Sequence, residues 1–299
     1  MPSATTKANG IEIAYETFGS EEGRPLLLVM GLGGPMLVWH PDFCRLLADK
    51  GFFVVRYDNR DVGLSTHLHD APPPNLMAGL MGDTSSASYT LDDMADDGRG
   101  LLEALDIGSA HVVGVSLGGM IAQVMAVRHP ATVRSLTSIS STPSPLLSNP
   151  TAEVMSAMML PPPSTRQETL DRMLSLSRVA GSPAYPIDEE WLTDLAGQMW
   201  DRGRDAMGIA RQTMAIYASG DRTEAVRQIQ APALVIHGDK DPMINVAAGQ
   251  ATASAIPGAE LLVLPGMGHD LPRALWPTIV DAISALARRA ESVPSPEPA

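Results

Sequence analysis

Ala110-His111-Val112-Val113-Gly114-Val115-Ser116-Leu117-Gly118-Gly119-Met120-Ile121-Ala122 is the stretch whose reading decides the fold. Its first half is an apolar, β-branched run bounded by turn-formers, the pattern of a buried strand. Gly114-x-Ser116-x-Gly118 follows, and then a helix-like segment over 119–129. Strand, tight glycine turn and helix form the setting in which Gly-x-Ser-x-Gly reads as a nucleophile elbow. The turn is so sharp that strand and helix leave no room for a Cβ on either side of the serine. Ser116 then stands at the tip, Oγ exposed, with a helix N-terminus beneath it. Three fixed residues match by accident at about a few tenths of an occurrence per chain. The motif therefore needs partners from the rest of the chain.

Upstream, residues 11–17 alternate apolar and polar, as a half-exposed edge strand does. Pro25-Leu26-Leu27-Leu28-Val29-Met30 is continuously apolar, as in parallel strands buried on both faces. Gly31-Leu32-Gly33-Gly34-Pro35 loops off its end. A helical period over 42–50 closes on Gly51, and 52–57 is the next strand. Residues 67–88 read as a long loop, and Thr90-x-x-Asp93 caps a helix running to about residue 105. Downstream, 133–140 is a strand candidate. From 142 to 230 the alternation stops, with Pro clusters and helical stretches near 152–160, 166–180, 189–200 and 207–219. It resumes with a strand at 233–237, a helix near 246–255, a strand at 260–264 and a last helix over 272–290. The expectation is an α/β fold, a doubly wound, mostly parallel sheet carrying a helical cap insertion. Its parts are core (1–141), cap or lid (142–230), core (231–291) and a flexible Pro-rich tail (292–299).

Composition narrows the function classes. The chain has 299 residues and a net charge of −13, which argues against nucleic-acid or anionic-membrane partners. Cys44 is its one cysteine, so neither a disulfide framework nor a zinc cluster is expected, and the thiol reads as a small core group. The first ten residues are polar, and the longest apolar run, 26–39, is broken by glycines and Pro35. A cytoplasmic protein without a membrane span is the expectation.

Serine is a poor nucleophile until a base takes its proton, and the base needs a third group to orient it. In this architecture the chain order is Ser, then acid, then His, each on a loop after a strand. Gly238-Asp239-Lys240-Asp241-Pro242 and Pro265-Gly266-Met267-Gly268-His269-Asp270 are those loops. Asp241 is the candidate acid, with Asp239 as fallback, although Asp before Pro is ordinarily a turn-former. His269 is the one histidine of seven on a glycine-flanked loop late in the chain. His111, in a buried strand, reads as a structural histidine. His67-x-His69 hints at metal but has no third ligand in view, so a solvated loop is the reading and no metal or cofactor is expected. An attacked carbonyl becomes an oxyanion and needs donors, for which the backbone N–H groups of Leu117 and Leu32 are the candidates.

With these segments in place, the chain resembles the α/β-hydrolase superfamily over essentially its full length. Val29-Met30-Gly31, Arg56-Tyr57-Asp58-Asn59-Arg60-Asp61-Val62-Gly63-Leu64-Ser65, His111 to Ser116 and Pro265 to Pro272 are similar to the aclacinomycin methylesterase group and related actinobacterial esterases and lipases. Met30 departs from the pattern, since many relatives carry His there. The resemblance implies that Asp58-x-Arg60-x-x-Gly63-x-Ser65 is mainly structural and that substrate choice lies in the cap. That segment is rich in Met, and Met155, Met159, Trp191 and Met214 are the candidate lining of an apolar pocket. The leading expectation is a carboxylic ester hydrolase acting on small to medium apolar esters through an acyl-enzyme, as monomer or homodimer. A cofactor-free perhydrolase, a lactonase or a carbon–carbon bond hydrolase would use the same triad. A non-catalytic binding module is the reading from a different class.

Overall fold

The computed structural model describes residues 3–203 and 205–292. The strands are β1 (Ala4–Ala8), β2 (Ile11–Phe18), β3 (Arg24–Val29), β4 (Phe52–Tyr57), β5 (Ala110–Val115), β6 (Val133–Ile139), β7 (Ala233–Gly238) and β8 (Glu260–Leu264). Successive side chains of a strand point to opposite faces. In β3, Leu27 and Val29 therefore enter one apolar cluster while Leu26 and Leu28 enter the other. In β5, Ala110 and Val112 face one way, Val113 and Val115 the other. Both faces are covered, which is why these runs show no polar alternation.

The helices, in chain order, are α1 (Pro41–Asp49), α2 (Leu76–Leu80), α3 (Leu91–Ala104), α4 (Leu117–Arg128), α5 (Ala152–Met158), α6 (Arg166–Ala180), α7 (Glu189–Asp201), α8 (Ala206–Ser219), α9 (Thr223–Val226), α10 (Val246–Ala255) and α11 (Trp276–Ser292). α1 and α11 cover one face of the sheet; α3, α4 and α10 cover the other. α11 is amphipathic, burying Trp276, Ile279, Val280, Ile283, Leu286 and Ala287. α4 is buried from Leu117 through Ala126 and apolar there except for Gln123, whose Nε2 donates to Ser138 Oγ at 3.0 Å. Thr90 caps α3 as expected: its Oγ1 accepts from Asp92 N–H at 3.2 Å and its own N–H donates to Asp93 at 2.8 Å.

The strand order is β1-β2-β4-β3-β5-β6-β7-β8. β1 and β2 run antiparallel to their neighbours, and β4, β3 and β5 through β8 are mutually parallel. From β3 the chain goes out to β4 and then returns past β3 to β5. The C-terminal ends of the strands at such a reversal, here β3 and β5, are where open α/β sheets bind ligands.

Three local readings change. The edge place expected for 11–17 is taken by β1, and β2 is paired on both sides, so its half-exposure belongs to one face and not to an edge. Asn9 (φ 47°) and Gly10 (φ 78°) form the two-residue turn between them, both in the positive-φ region that such hairpins require. The loop 67–88 contains the short α2, which packs on α8. Between β6 and β7 the chain is helical, but α9 packs on α4 and α10 with Val226 buried, as part of the core layer. Residues 293–299 of the expected tail lie outside the described residues. Among the described residues no helix is long and apolar enough to cross a membrane.

Candidate active site

Ser116 joins β5 to α4 with φ 55° and ψ −121°, a conformation that costs a residue with a side chain about 1–3 kcal/mol. The surroundings impose it. Ser116 N–H donates to Ile139 O at 2.9 Å, and Ser141 Oγ donates to Ser116 O at 2.7 Å. A Cβ on Gly114 would lie 2.0 Å from Gly118 O, and one on Gly118 would lie 2.0 Å from Val29 O. Both glycines are therefore fixed by close approach, one between strand and helix, the other between the helix and β3.

The loop after β8 brings His269 to this tip. His269 Nε2 lies 3.0 Å from Ser116 Oγ, and His269 Nδ1 lies 2.7 Å from Asp241 Oδ2. Asp241 Oδ1 accepts the backbone N–H groups of Met243 and Ile244, each at 2.9 Å. Burial pushes the Asp241 carboxyl upward, but the His269 charge, hydrogen bonds from His237 and His269 and the Ile244 amide outweigh it, holding the group well below the carboxylate range. Asp239, the fallback acid, instead accepts from Gly266 N–H at 2.6 Å and ties the two loops together. The last residue of α6 and the segment after it grip the histidine loop. His269 N–H donates to Ala180 O at 2.7 Å and Gly268 N–H to Ser182 Oγ at 2.8 Å.

The loop after β3 lies against the serine. A Cβ on Gly31 would stand 3.2 Å from Ser116 Cβ and 3.8 Å from Ser116 Oγ. The N–H groups of Leu32 and Leu117 have no acceptor among the described residues, as the first amides of a helix and a ligand-facing loop require. Two side chains that sequence reading did not pick out hold this loop. Asn59 Nδ2 donates to Met30 O at 2.9 Å, and Gln212 Oε1 accepts from Gly33 N–H at 2.9 Å while its Nε2 donates to Arg60 O at 2.8 Å. His237 is a third, fully buried, 3.5 Å from Asp241 Oδ2 and 2.8 Å from Ile244 O. Its place just before Gly238-Asp239-Lys240-Asp241 was a usable signal. Gln212, inside a helix, offered none.

The other singled-out residues fall as follows. Asp58 accepts from Met36 N–H and Leu64 N–H, and Arg60 pairs with Asp97 through two contacts of 2.6 and 2.7 Å, so this segment braces loops. His111 is buried and bonded to Ser135 and Glu291, and Cys44 is buried on α1 with burial pushing its thiol up to about 12. Met155 and Met159 are exposed on and after α5, a helix that Thr151 N–H fastens to Pro242 O in the acid loop. Met214 is fully buried and packs over Gly79 of α2, while Trp191 lays its ring 4.1 Å from that of His40. The structure thus brings Ser116, His269, Asp241 and Gly31 together and sets Met214 and Trp191 in packing positions elsewhere. The reading of His67-x-His69 as lacking a third ligand is corrected: Asp205, far away in sequence, lies beside both rings. Surface clefts of ≈ 630 Å³ on α6 and α7 and ≈ 600 Å³ around Tyr15 and Arg134 are lined by none of the triad.

Comparison with known proteins bears on the same segments. Residues 24–272 match the family model described as the alpha/beta hydrolase fold. The chain is 27% identical to the rhodomycin D methylesterase of Streptomyces sp. (strain C5), across 97% of this chain and 99% of that one. It is 28% identical to the non-heme chloroperoxidase CPO-A1 of Kitasatospora aureofaciens, across 91% and 93% respectively. The enol-lactonase of Burkholderia xenovorans LB400 superposes with a TM-score of 0.70 over 97% of this chain and 100% of that one, at 24% identity. The matched span runs from β3 through the histidine loop and holds both the sheet reversal and the serine elbow, so the chain belongs to the α/β-hydrolase family.

Proposed function

We propose that this protein is a serine hydrolase of carboxylic esters, with Ser116 as nucleophile, His269 as base and Asp241 as the group that orients it. The observation that carries this is the chain of contacts from Ser116 Oγ through His269 to Asp241, 3.0 and 2.7 Å long. His269 takes the Oγ proton as the oxygen attacks the ester carbonyl, and the buried Asp241 carboxylate stabilises the resulting imidazolium. The N–H groups of Leu32 and Leu117 receive the oxyanion. His269 then gives its proton to the leaving alcohol, and water, activated by the same imidazole, hydrolyses the acyl-enzyme. The methylesterase relative, alike over its whole length, supports an ester as substrate. Helices α5 to α8 serve as the cap, and Met155 and Met159 of the α5 segment, which Thr151 N–H fastens to Pro242 O, are its apolar contribution to the acyl pocket.

Ser116→Ala is expected to fold normally and to lose hydrolysis of short-chain aryl esters by about 10⁴- to 10⁶-fold. Initial rates on a graded series of such esters check this, and full residual activity in the variant would remove the mechanism. The likeness to a chloroperoxidase supports a second reaction at the same site. Hydrogen peroxide would replace water as acceptor of the acyl group. Acetate- and peroxide-dependent halide oxidation, abolished by the same variant, is its readout.

A further inference from the structure

His67 and His69 lie in the loop that follows Gly63, and Asp205 is the N-cap of α8. One ligand atom from each of the three falls within 4.8 Å of the others. His67 Nδ1 is 3.1 Å and His69 Nδ1 3.8 Å from the same oxygen, Asp205 Oδ2. Bonds of about 2.0–2.1 Å to a tetrahedral zinc place adjacent ligand atoms about 3.4 Å apart, so these separations bracket that edge.

The hydrogen bonding leaves a cation missing. His67 Nε2 lies 3.1 Å from Gly63 O, a pure acceptor, so Nε2 carries the hydrogen. In the neutral ring Nδ1 then presents a lone pair to a carboxylate oxygen, an acceptor facing an acceptor. Metal-bound histidines characteristically donate their other N–H to a backbone carbonyl in this way. The charge count agrees. Among the described residues, Asp61 and Asp205 share the guanidinium of Arg211, at 2.7, 2.9 and 2.9 Å, so two carboxylates face one arginine there. His69 is largely exposed, which gives an entry path and lets its ring turn about its broad terminal torsion.

We propose that His67, His69 and Asp205 bind one divalent transition cation, Zn²⁺, Co²⁺ or Ni²⁺, with water in the remaining position. Two imidazoles and one carboxylate favour these ions over Mg²⁺ and Ca²⁺. The bound ion staples α8 to the loop after Gly63. Because α8 also carries Gln212, which holds Gly33, the staple fastens the element that supports the loop beside Ser116.

The test uses the full chain, without an affinity tag and stripped of metal, titrated with Co²⁺ by visible absorption and with Zn²⁺ by calorimetry. The expected result is one ion per chain, low-coordinate Co²⁺ bands that Zn²⁺ displaces, and a Tm raised by Zn²⁺ but not by Mg²⁺. His69→Ala, at an exposed position, folds and binds more than about tenfold more weakly, since even losing an outer partner of a ligand costs that much. Its zinc-dependent rise in Tm disappears, and Asp205→Asn weakens binding in the same titration. Failure to take up stoichiometric Co²⁺ or Zn²⁺ would overturn the site and leave a proton as the missing cation. Uptake that His69→Ala leaves unchanged would overturn it equally.

Discussion

Both oxygens of Asp241 are engaged: Oδ2 meets His269 Nδ1, and Oδ1 takes two backbone amides. An acceptor-only group at that place selects the imidazole tautomer whose lone pair at Nε2 faces Ser116. Asp241→Asn offers a donor instead, and kcat is expected to fall by about 10⁴ with little change in the binding of an uncleavable ester analogue. The same carboxyl makes a prediction about acid. Its folded pKa lies below the ordinary value of 3.8, so near and below that pH the unfolded chain binds the extra proton first. The stability it contributes is complete above that value and is lost as pH falls through the depressed folded one. Denaturant midpoints measured from about pH 5 to about pH 2 should therefore fall more steeply in the wild type than in Asp241→Asn. Ser116, Asp241 and His269 were legible as residues because each stands just past a strand end, in the order this chain topology demands.

At the scale of elements, α8 does more than pack on α2 and α3. Its Gln212 bridges Gly33 N–H and Arg60 O, so it fixes the loop that presents the Leu32 amide. Gln212→Ala should lower kcat while leaving KM near its original value, because the oxyanion exists only after attack. The loss stays within the 10²–10³-fold, approximately, that deleting an oxyanion donor outright costs. Steady-state kinetics with a short-chain aryl ester separate this from a general packing defect, which would move KM or the folded fraction. Thr90, which caps α3 where Leu91 N–H also meets Ser219 Oγ at the end of α8, gives the contrasting case: Thr90→Ala is expected to cost about 1 kcal/mol of stability and leave kcat unchanged. Long strands and capped helices were readable because their periods and end signals are local. β1 was passed over although Asn9-Gly10 announces a hairpin, since its polar residues hide the pairing.

The whole molecule is one sheet between two helical layers. That arrangement follows from strands without polar alternation and helices that differ in how many sides they bury. Leu101, fully buried on α3, tests the layer: Leu101→Ala should cost about 2–5 kcal/mol in denaturant unfolding while the folded fraction keeps its kcat. Contacts across the fold were the illegible part. Gly33 meets Gln212 across 179 positions and His67 meets Asp205 across 138, with no periodicity to signal either. Met214 and Trp191 show the same limit, since side-chain type alone did not say which neighbours they would pack on. The central claim is that His269 and Asp241 make Ser116 a nucleophile. The most direct measurement is labelling by a fluorophosphonate ester, read by peptide mass spectrometry in the wild type and in His269→Ala. The result expected is one adduct, on Ser116, in the wild type and almost none in the variant. No adduct in the folded wild type, or an adduct on another residue that survives His269→Ala, would contradict it.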